Sequence, residues 1–421
     1  MSAAIAELPP SELDRLRRRT VHTLVGGVAL GSTGHIAAVT VATIVAKDMT
    51  GSAELAGAPA AAVVFGAALG ATGLSWLMSR RGRRAGLVAG YGIGVVGALV
   101  AVLAIVDMSF PGLLAGSLLI GFGNSANQLS RYAAADLYPP DRRASALATV
   151  VWAATVGAIV GPNIVGPSGE FAMAIGLPAH AGPYLVPIVL VGAAAILSFV
   201  RLRPDPYDLA DHHGRTDALR GVAAPLLTIL RRPAVLVAIV ALVIGQFVMV
   251  LIMTMTPLHM TDHGHDLSSV GLVLSAHIAG MYAFAPISGW LTDRYGGPLV
   301  IYGGMAILAI SGVLAAVAPA EDDRLLLVAL FLLGFGWNLG YVAGSALLTS
   351  GISIVERTRV QGVADALIWS TAAIASLGSG VLVEAAGYAA LGVLGAILVA
   401  VPAGVLTIRR GVLDQPPASA A

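Results

Sequence analysis

The stretches IGFGNSANQLSRYAAADLYPPDRRASALATVVW, residues 120–152, and LGFGWNLGYVAGSALLTSGISIVERTRVQGVADALIW, residues 333–369, decide the architecture of this chain. Each runs from a Gly-rich apolar segment through a charged loop to a tryptophan, Trp152 in one copy and Trp369 in the other. Two copies of such a unit imply a chain built as two related halves. Each copy also begins inside an apolar run long enough to cross a bilayer.

Working outward, the same character extends over the whole chain. Of 421 residues, 57% are hydrophobic and only 11% charged, far below the roughly 25% charge of a soluble domain. A span across the hydrocarbon core needs about 20 mostly apolar residues. Twelve candidate spans satisfy this, at 21–46, 56–78, 85–106, 110–135, 144–166, 182–200, 233–257, 267–291, 298–318, 325–350, 360–385 and 388–408. The fold class expected is an all-α integral membrane protein. Its domains are a first half at 1–200, a connecting loop at 201–232 and a second half at 233–421.

Lys and Arg fix the orientation, because loops rich in them stay cytoplasmic. The basic residues at 15–19, 80–84, 142–143, 201–232, 294, 357–359 and 409–410 fall on one face of the twelve-span arrangement. Lys47 and Arg324 alone fall on the other, and Arg131 lies within a span. Both termini are therefore expected in the cytoplasm, with the chain in the inner (plasma) membrane. The charged start runs into an apolar stretch too long for a signal h-region, so the first helix reads as an uncleaved anchor.

The absence of cysteine excludes thiolate metal sites and cysteine nucleophiles. No phosphate-binding loop, serine elbow or HExxH signature is present, and no basic domain points to nucleic acid. No enzyme activity, cofactor or resident metal is expected. The run HMTDHGHD at 259–266 reads as a solvated loop, with metal binding as its alternative.

Two motifs carry chemistry specific enough to name. The loop GWLTDRYGG, residues 289–297, supplies Gly289, Asp293 and Arg294; the matching loop SWLMSRRGRR, residues 75–84, supplies Arg80, Gly82 and Arg83, with Ser79 at the Asp position. Such charges act as a latch when they pair with helix ends in one conformation and release in another. Span five reads GAIVGPNIVGP at 157–167, where Gly157, Gly161, Pro162 and Gly166 weaken a helix turn and offer a flat face to a neighbour. These residues resemble the loop signature of the major facilitator superfamily and the span-five motif of its twelve-helix drug:proton antiporter group. Ser117 stands where that group carries an Arg. The resemblance implies a major-facilitator-type fold, two pseudo-symmetric six-helix halves, a small-molecule substrate, protons as the coupling ion and a monomer in the lipid bilayer.

Within the spans, Asn124, Asn127, Gln128 and Arg131 are spaced i, i+3, i+4 and i+7 and line one face of span four. Polar groups in a bilayer are costly unless they face a cavity or a partner. This stripe is the expected substrate-binding surface, joined by His35, Gln246 and Asn338 inside other spans. Arg131 would favour acidic or electron-rich substrates; pairing with Asp136 at the membrane edge is its alternative. His35, His277 and Asp365 are the candidates for proton coupling, since an unperturbed histidine titrates near pH 6.5. A buried structural role is open for either His. For Asp365 a gating role, paired with Arg80 or Arg83 in place of the missing loop Asp, is favoured over proton carriage; Asp136 is a further gating residue. The function expected is proton-coupled efflux of a small organic molecule by alternating access, with proton-coupled import of a metabolite as the first rival and a transporter-like membrane sensor as the second.

Overall fold

The computed structural model describes residues 9–51, 55, 57–209, 225–265, 267–319 and 323–413, and every described element is helical. The membrane helices are α1 (Pro10–Thr50), α2 (Ala58–Arg81), α3 (Arg83–Val106), α4 (Phe110–Ala135), α5 (Arg143–Trp152, Ala154–Asn163 and Val165–Ala174), α6 (Gly182–Arg201), α7 (Pro233–Asp262), α8 (Leu267–Tyr282 and Ala285–Tyr295), α9 (Gly297–Val317), α10 (Asp323–Leu347), α11 (Ile354–Ala386) and α12 (Tyr388–Leu398 and Ala400–Leu413). Eleven of them, among the described residues, are long and apolar enough to cross a membrane. The exception, α4, has the length, with 26 residues, but carries the polar stripe in its second half.

Three helix breaks share one cause. Proline has no N–H to give to the carbonyl four residues back. Pro167, Pro286 and Pro402 leave the carbonyls of Asn163, Tyr282 and Leu398 without that donor, and the helices break immediately after those residues.

The chain divides into two contact units. The first comprises Met1–Pro139, Ala153–Gly221 and Gln361–Trp369; the second comprises Pro140–Trp152, Val222–Val360 and Ser370–Ala421. Each unit thus includes a short segment from the opposite half of the sequence: the start of α5 belongs to the second unit, and residues 361–369 of α11 to the first.

In the first unit α4 packs against α2 and α3, and α1 against α6 and α5. Glycines set the closest approaches. A Cβ on Gly66 would run into the backbone of Leu118, one on Gly70 into that of Phe122, and one on Gly123 into Gly94. The core at one end of this unit is apolar, built around Val41, Val45, Ile105, Leu113, Ile120 and Tyr184. In the second unit α10 packs against α8, α9 and α7, and α9 against α12.

Candidate functional site

The polar stripe of α4 serves two separate sites. Asn124 and Asn127 line a narrow cleft in the first unit together with His35 of α1 and Tyr91 of α3. Tyr91 Oη donates to Asn127 Oδ1 (3.1 Å), and Asn127 Nδ2 donates to Asn124 Oδ1 (2.9 Å). His35 Nδ1 is buried without a hydrogen-bond partner. Gly31, Gly94 and Gly123 form the side-chain-free walls; a Cβ on Gly31 would strike the Asn127 amide.

Arg131, one further turn along α4, points elsewhere. Its Nη2 donates to Asp365 Oδ1 at 2.6 Å, and both side chains are almost fully buried. Tyr132 Oη lies 3.3 Å from the same carboxylate oxygen and takes a 2.8 Å bond from Arg131 Nη2. Arg131 Nη1 returns to the carbonyl of Gln128, and Gln128 is not among the residues that line the cleft. Asp365 Oδ2 is buried with no hydrogen-bond partner.

A second buried pair lies nearby in the same unit. Arg83 Nη2 and Nε bond Asp136 Oδ2 at 2.6 and 3.1 Å, and Arg83 Nη2 also reaches Gln361 Oε1 at 2.7 Å. The side chains of Arg83 and Asp136 are both fully buried. These contacts correct two sequence expectations. Arg131 does not pair with Asp136, and Asp365 pairs with neither Arg80 nor Arg83. Arg131 and Asp136 are five residues apart, hence on different sides of an α-helix with 3.6 residues per turn. Arg80 is exposed and lies over the Trp76 ring at 4.4 Å.

The two loop signatures use their residues differently. In the second unit Asp293 accepts two backbone N–H groups at the start of α5, from Ala144 and Ser145, both at 2.9 Å. Gly289 lies against Ala148 and the Ala144 carbonyl, and Arg294 is exposed. In the first unit Ser79 only closes back on the Trp76 carbonyl. Gly82 ends α2 with φ 88°, and the N–H groups of Arg83 and Arg84 are taken by Asp205, each at 3.0 Å. Burial pushes the Asp205 carboxyl above the usual carboxylate range, against the pull of the N–H groups of Tyr207, Arg84 and Arg83.

Along α5, Gly157 seats on Ser32 and Thr33 of α1 and Gly161 on Ile36, whereas Gly166 faces open space; Pro162 lies inside its helix segment. The remaining expected residues sit in the second unit. His277 Nδ1 meets the Leu330 carbonyl at 2.9 Å, and its Nε2 is unpartnered. Asn338 is fully buried, donating to the Met281 carbonyl at 2.6 Å and accepting from Ser288; its amide joins α10 to α8. Gln246 accepts from Trp337 Nε1 at 2.9 Å. Of the 259–266 run, expected as a loop, His259 to Asp262 form the end of α7, and Asp266 lies outside the described residues. His259 stacks on Tyr388, and no group of three or more metal-ligating side chains gathers among the described residues.

Sequence reasoning missed Tyr91, Tyr132, Gln361 and Asp205. It also passed over the Ser353–Glu356 capping box that starts α11, a spacing recognisable in any sequence.

The Major Facilitator Superfamily profile matches residues 23–271 and 249–420. The chain is 36% identical over 393 residues to an uncharacterised MFS-type transporter of Bacillus subtilis, YddS, covering 92% of this chain and 90% of that one. It is 28% identical over 377 residues to the riboflavin transporter RfnT of Brucella anthropi, covering 88% of this chain and 90% of the relative. Its fold matches the E. coli fucose:proton symporter FucP with a TM-score of 0.72 at 16% identity, covering 92% of this chain and 98% of that structure. Twelve helices, two loop signatures and these matches agree: the chain is a transporter, not an enzyme, and belongs to the Major Facilitator Superfamily.

Proposed function

We propose that this transporter is a proton-coupled antiporter that exports a small organic molecule from the cytoplasm, with Asp365 carrying the proton and Arg131 answering to it. The buried Arg131–Asp365 pair, with one carboxylate oxygen bonded and the other left bare, carries this reading. A buried ion pair holds only while both members are charged, and removing one charge leaves the other costly. A proton placed on Asp365 Oδ2 turns the carboxylate into a neutral acid, and Arg131 loses its counter-charge. The contact that joins α4 to residue 365 of α11 then loosens. Loss of the proton restores it.

Around this element, Asn124, Asn127 and His35 contact the substrate, and Arg83 with Asp136 and Asp293 with the start of α5 act as gates. The halves 1–200 and 233–421 move as bodies joined by 201–232, in a monomer of the inner membrane with both termini in the cytoplasm. The seating of Gly157 and Gly161 on α1 supports export, because it is the seam that the antiporter-like motif would supply.

Because the Brucella relative is named as a riboflavin transporter, riboflavin is the first compound to try. In everted membrane vesicles holding a proton gradient, its addition should partly collapse the gradient. Asp365→Asn should abolish that collapse while leaving riboflavin exchange at equal pH. Gradient-driven flux of wild-type size in Asp365→Asn would refute the proton role.

A further inference from the structure

We infer that the start of α3 and the end of α6, in the first unit, form a binding site for the phosphate of an anionic phospholipid, held by Arg84 and Arg203. The site is independent of the cargo and of how its transport is coupled.

Both arginines gather on one aromatic ring. Phe199 stands in the last turn of α6, and its side chain is exposed. The guanidinium carbon of Arg84 lies 4.6 Å from the ring centre, and that of Arg203 lies 5.2 Å from it. Each cation is attracted to the ring, yet two like charges drawn to one ring repel each other. Among the described residues neither guanidinium pairs with a carboxylate. The acids that follow in sequence, Asp205 and Asp208, bond neither of them. Asp205 spends both oxygens on the backbone N–H groups of Arg83, Arg84 and Tyr207. The two cations therefore lack a bonded counter-charge.

Arg84 also has donors to spare. Its Nε donates to the Phe199 carbonyl at 3.0 Å, which satisfies one of the carbonyls left open at a helix C-terminus and fixes the plane of the guanidinium. Its Nη2 is buried and has no acceptor. A buried donor without an acceptor is costly, and the planar guanidinium matches phosphate oxygens in pairs. Capping of α6 accounts for the Nε contact alone and leaves Nη2 and Arg203 unexplained. The turn before α3 does not call for the arginine either. Gly82 and Gly296 make the same turn in the two loops, and the second loop has Pro298 at the position of Arg84.

The adjoining surface makes the occupant a lipid. Val189, Ile196 and Val200 of α6 are exposed, and their spacing keeps them on one side of the helix. On a membrane helix such a stripe lies against acyl chains, which are as apolar as the stripe itself. It ends beside Phe199, so a chain lying along it brings its headgroup phosphate to the two guanidiniums. Basic pockets between membrane helices take anionic headgroups in this way.

The test is native mass spectrometry of the purified full chain, titrated in detergent with soluble short-chain lipids. Dioctanoylphosphatidylglycerol should bind, and dioctanoylphosphatidylcholine, whose headgroup has no net charge, roughly tenfold more weakly. Glycerol 3-phosphate, a phosphate without acyl chains, should give no adduct at the same concentrations. Arg84→Gln and Arg203→Gln should each weaken phosphatidylglycerol roughly tenfold. Arg80, in the same loop, lies over Trp76 instead, so Arg80→Gln removes an equal charge and should leave lipid binding unchanged. Arg203 is exposed, so its variant tests the site if Arg84→Gln, which uncaps α6, does not fold. The inference is overturned if phosphatidylglycerol binds no tighter than phosphatidylcholine, or if the folded variants at 84 and 203 bind it as the wild type does. It is equally overturned if Arg80→Gln weakens binding as much as they do, because the basic surface then acts as a whole. Glycerol 3-phosphate binding as tightly as the lipid would overturn the lipid as occupant and leave a site for a free anion.

Discussion

The loops at 75–84 and 289–297 begin from the same backbone and end in different chemistry. Gly82 and Gly296 close their helices with φ of 88° and 86° and extended ψ of 167° and 148°, a conformation that side chains with a Cβ rarely adopt. Around that shared turn the residues have been redistributed. The second loop keeps Asp293, which caps the start of α5, and has Gly297 one step beyond its turn. The first has Ser79 in place of the acid and Arg83 in place of that glycine, and Arg83 makes a fully buried pair with Asp136. The helix ends they serve differ in the same sense. The start of α5 depends on a carboxylate about 150 residues away in sequence, whereas α11 caps itself through Ser353 and Glu356. One end is held by an outside group and can be released when that group leaves; the other carries its cap with it. A repeat therefore conserves the turn while changing which contacts a conformational change must break.

If that contrast is right, removing the arginines of the two loops will not be equivalent. Arg83→Ala strands Asp136 as a buried charge and should lower stability by about 3–5 kcal/mol. Arg294→Ala removes an exposed side chain and should stay within about 0.5 kcal/mol. Thermal melts of the purified variants read both directly, and equal losses would erase the distinction. Next in size, Asp293→Ala leaves two N–H groups of α5 without their acceptor and should cost about 1–3 kcal/mol. Ser79→Ala removes only a local turn bond, so its melt should match the wild type.

The sequence makes the number of helices legible because each needs an apolar run of fixed length, and such a run is a local property. The run 110–135 reads as one of the twelve in spite of its polar stripe, and α4 is the helix that falls short on apolarity among the described residues. Partners within the stripe are another matter. Arg131 and Asp365 are 234 positions apart, and which of several cations meets which carboxylate depends on the rotation and approach of three helices. Spacing along one helix placed Arg131 and Asn124 on a common face. It could not show that this face divides, one end opening on a cleft and the other on a neighbouring helix. Asp205 was hidden for a related reason: a carboxylate in a connecting loop looks solvated until the helix end it caps is known.

Asp205 gives the finest test of the contrast, because it is the first unit's counterpart to the Asp293 cap: a carboxylate on two N–H groups, here at the start of α3. Burial raises its pKa in the folded chain, while in the unfolded chain it titrates near the ordinary value of about 3.9. Between those two values the folded state binds more protons than the unfolded state, so stability falls as pH rises through that window. Asp205→Asn cannot titrate and keeps one acceptor oxygen for the helix end. The other oxygen becomes an NH2 group that faces an N–H donor, so its stability at neutral pH should fall by about 1 kcal/mol, and the acid-side slope should flatten. Melting curves of both proteins across the acid range decide it. Superimposable pH profiles would mean that the Asp205 carboxyl is not strained by its burial. The cap on α3 would then be as freely held as a solvated one, and the first unit would lose its likeness to the Asp293 clamp.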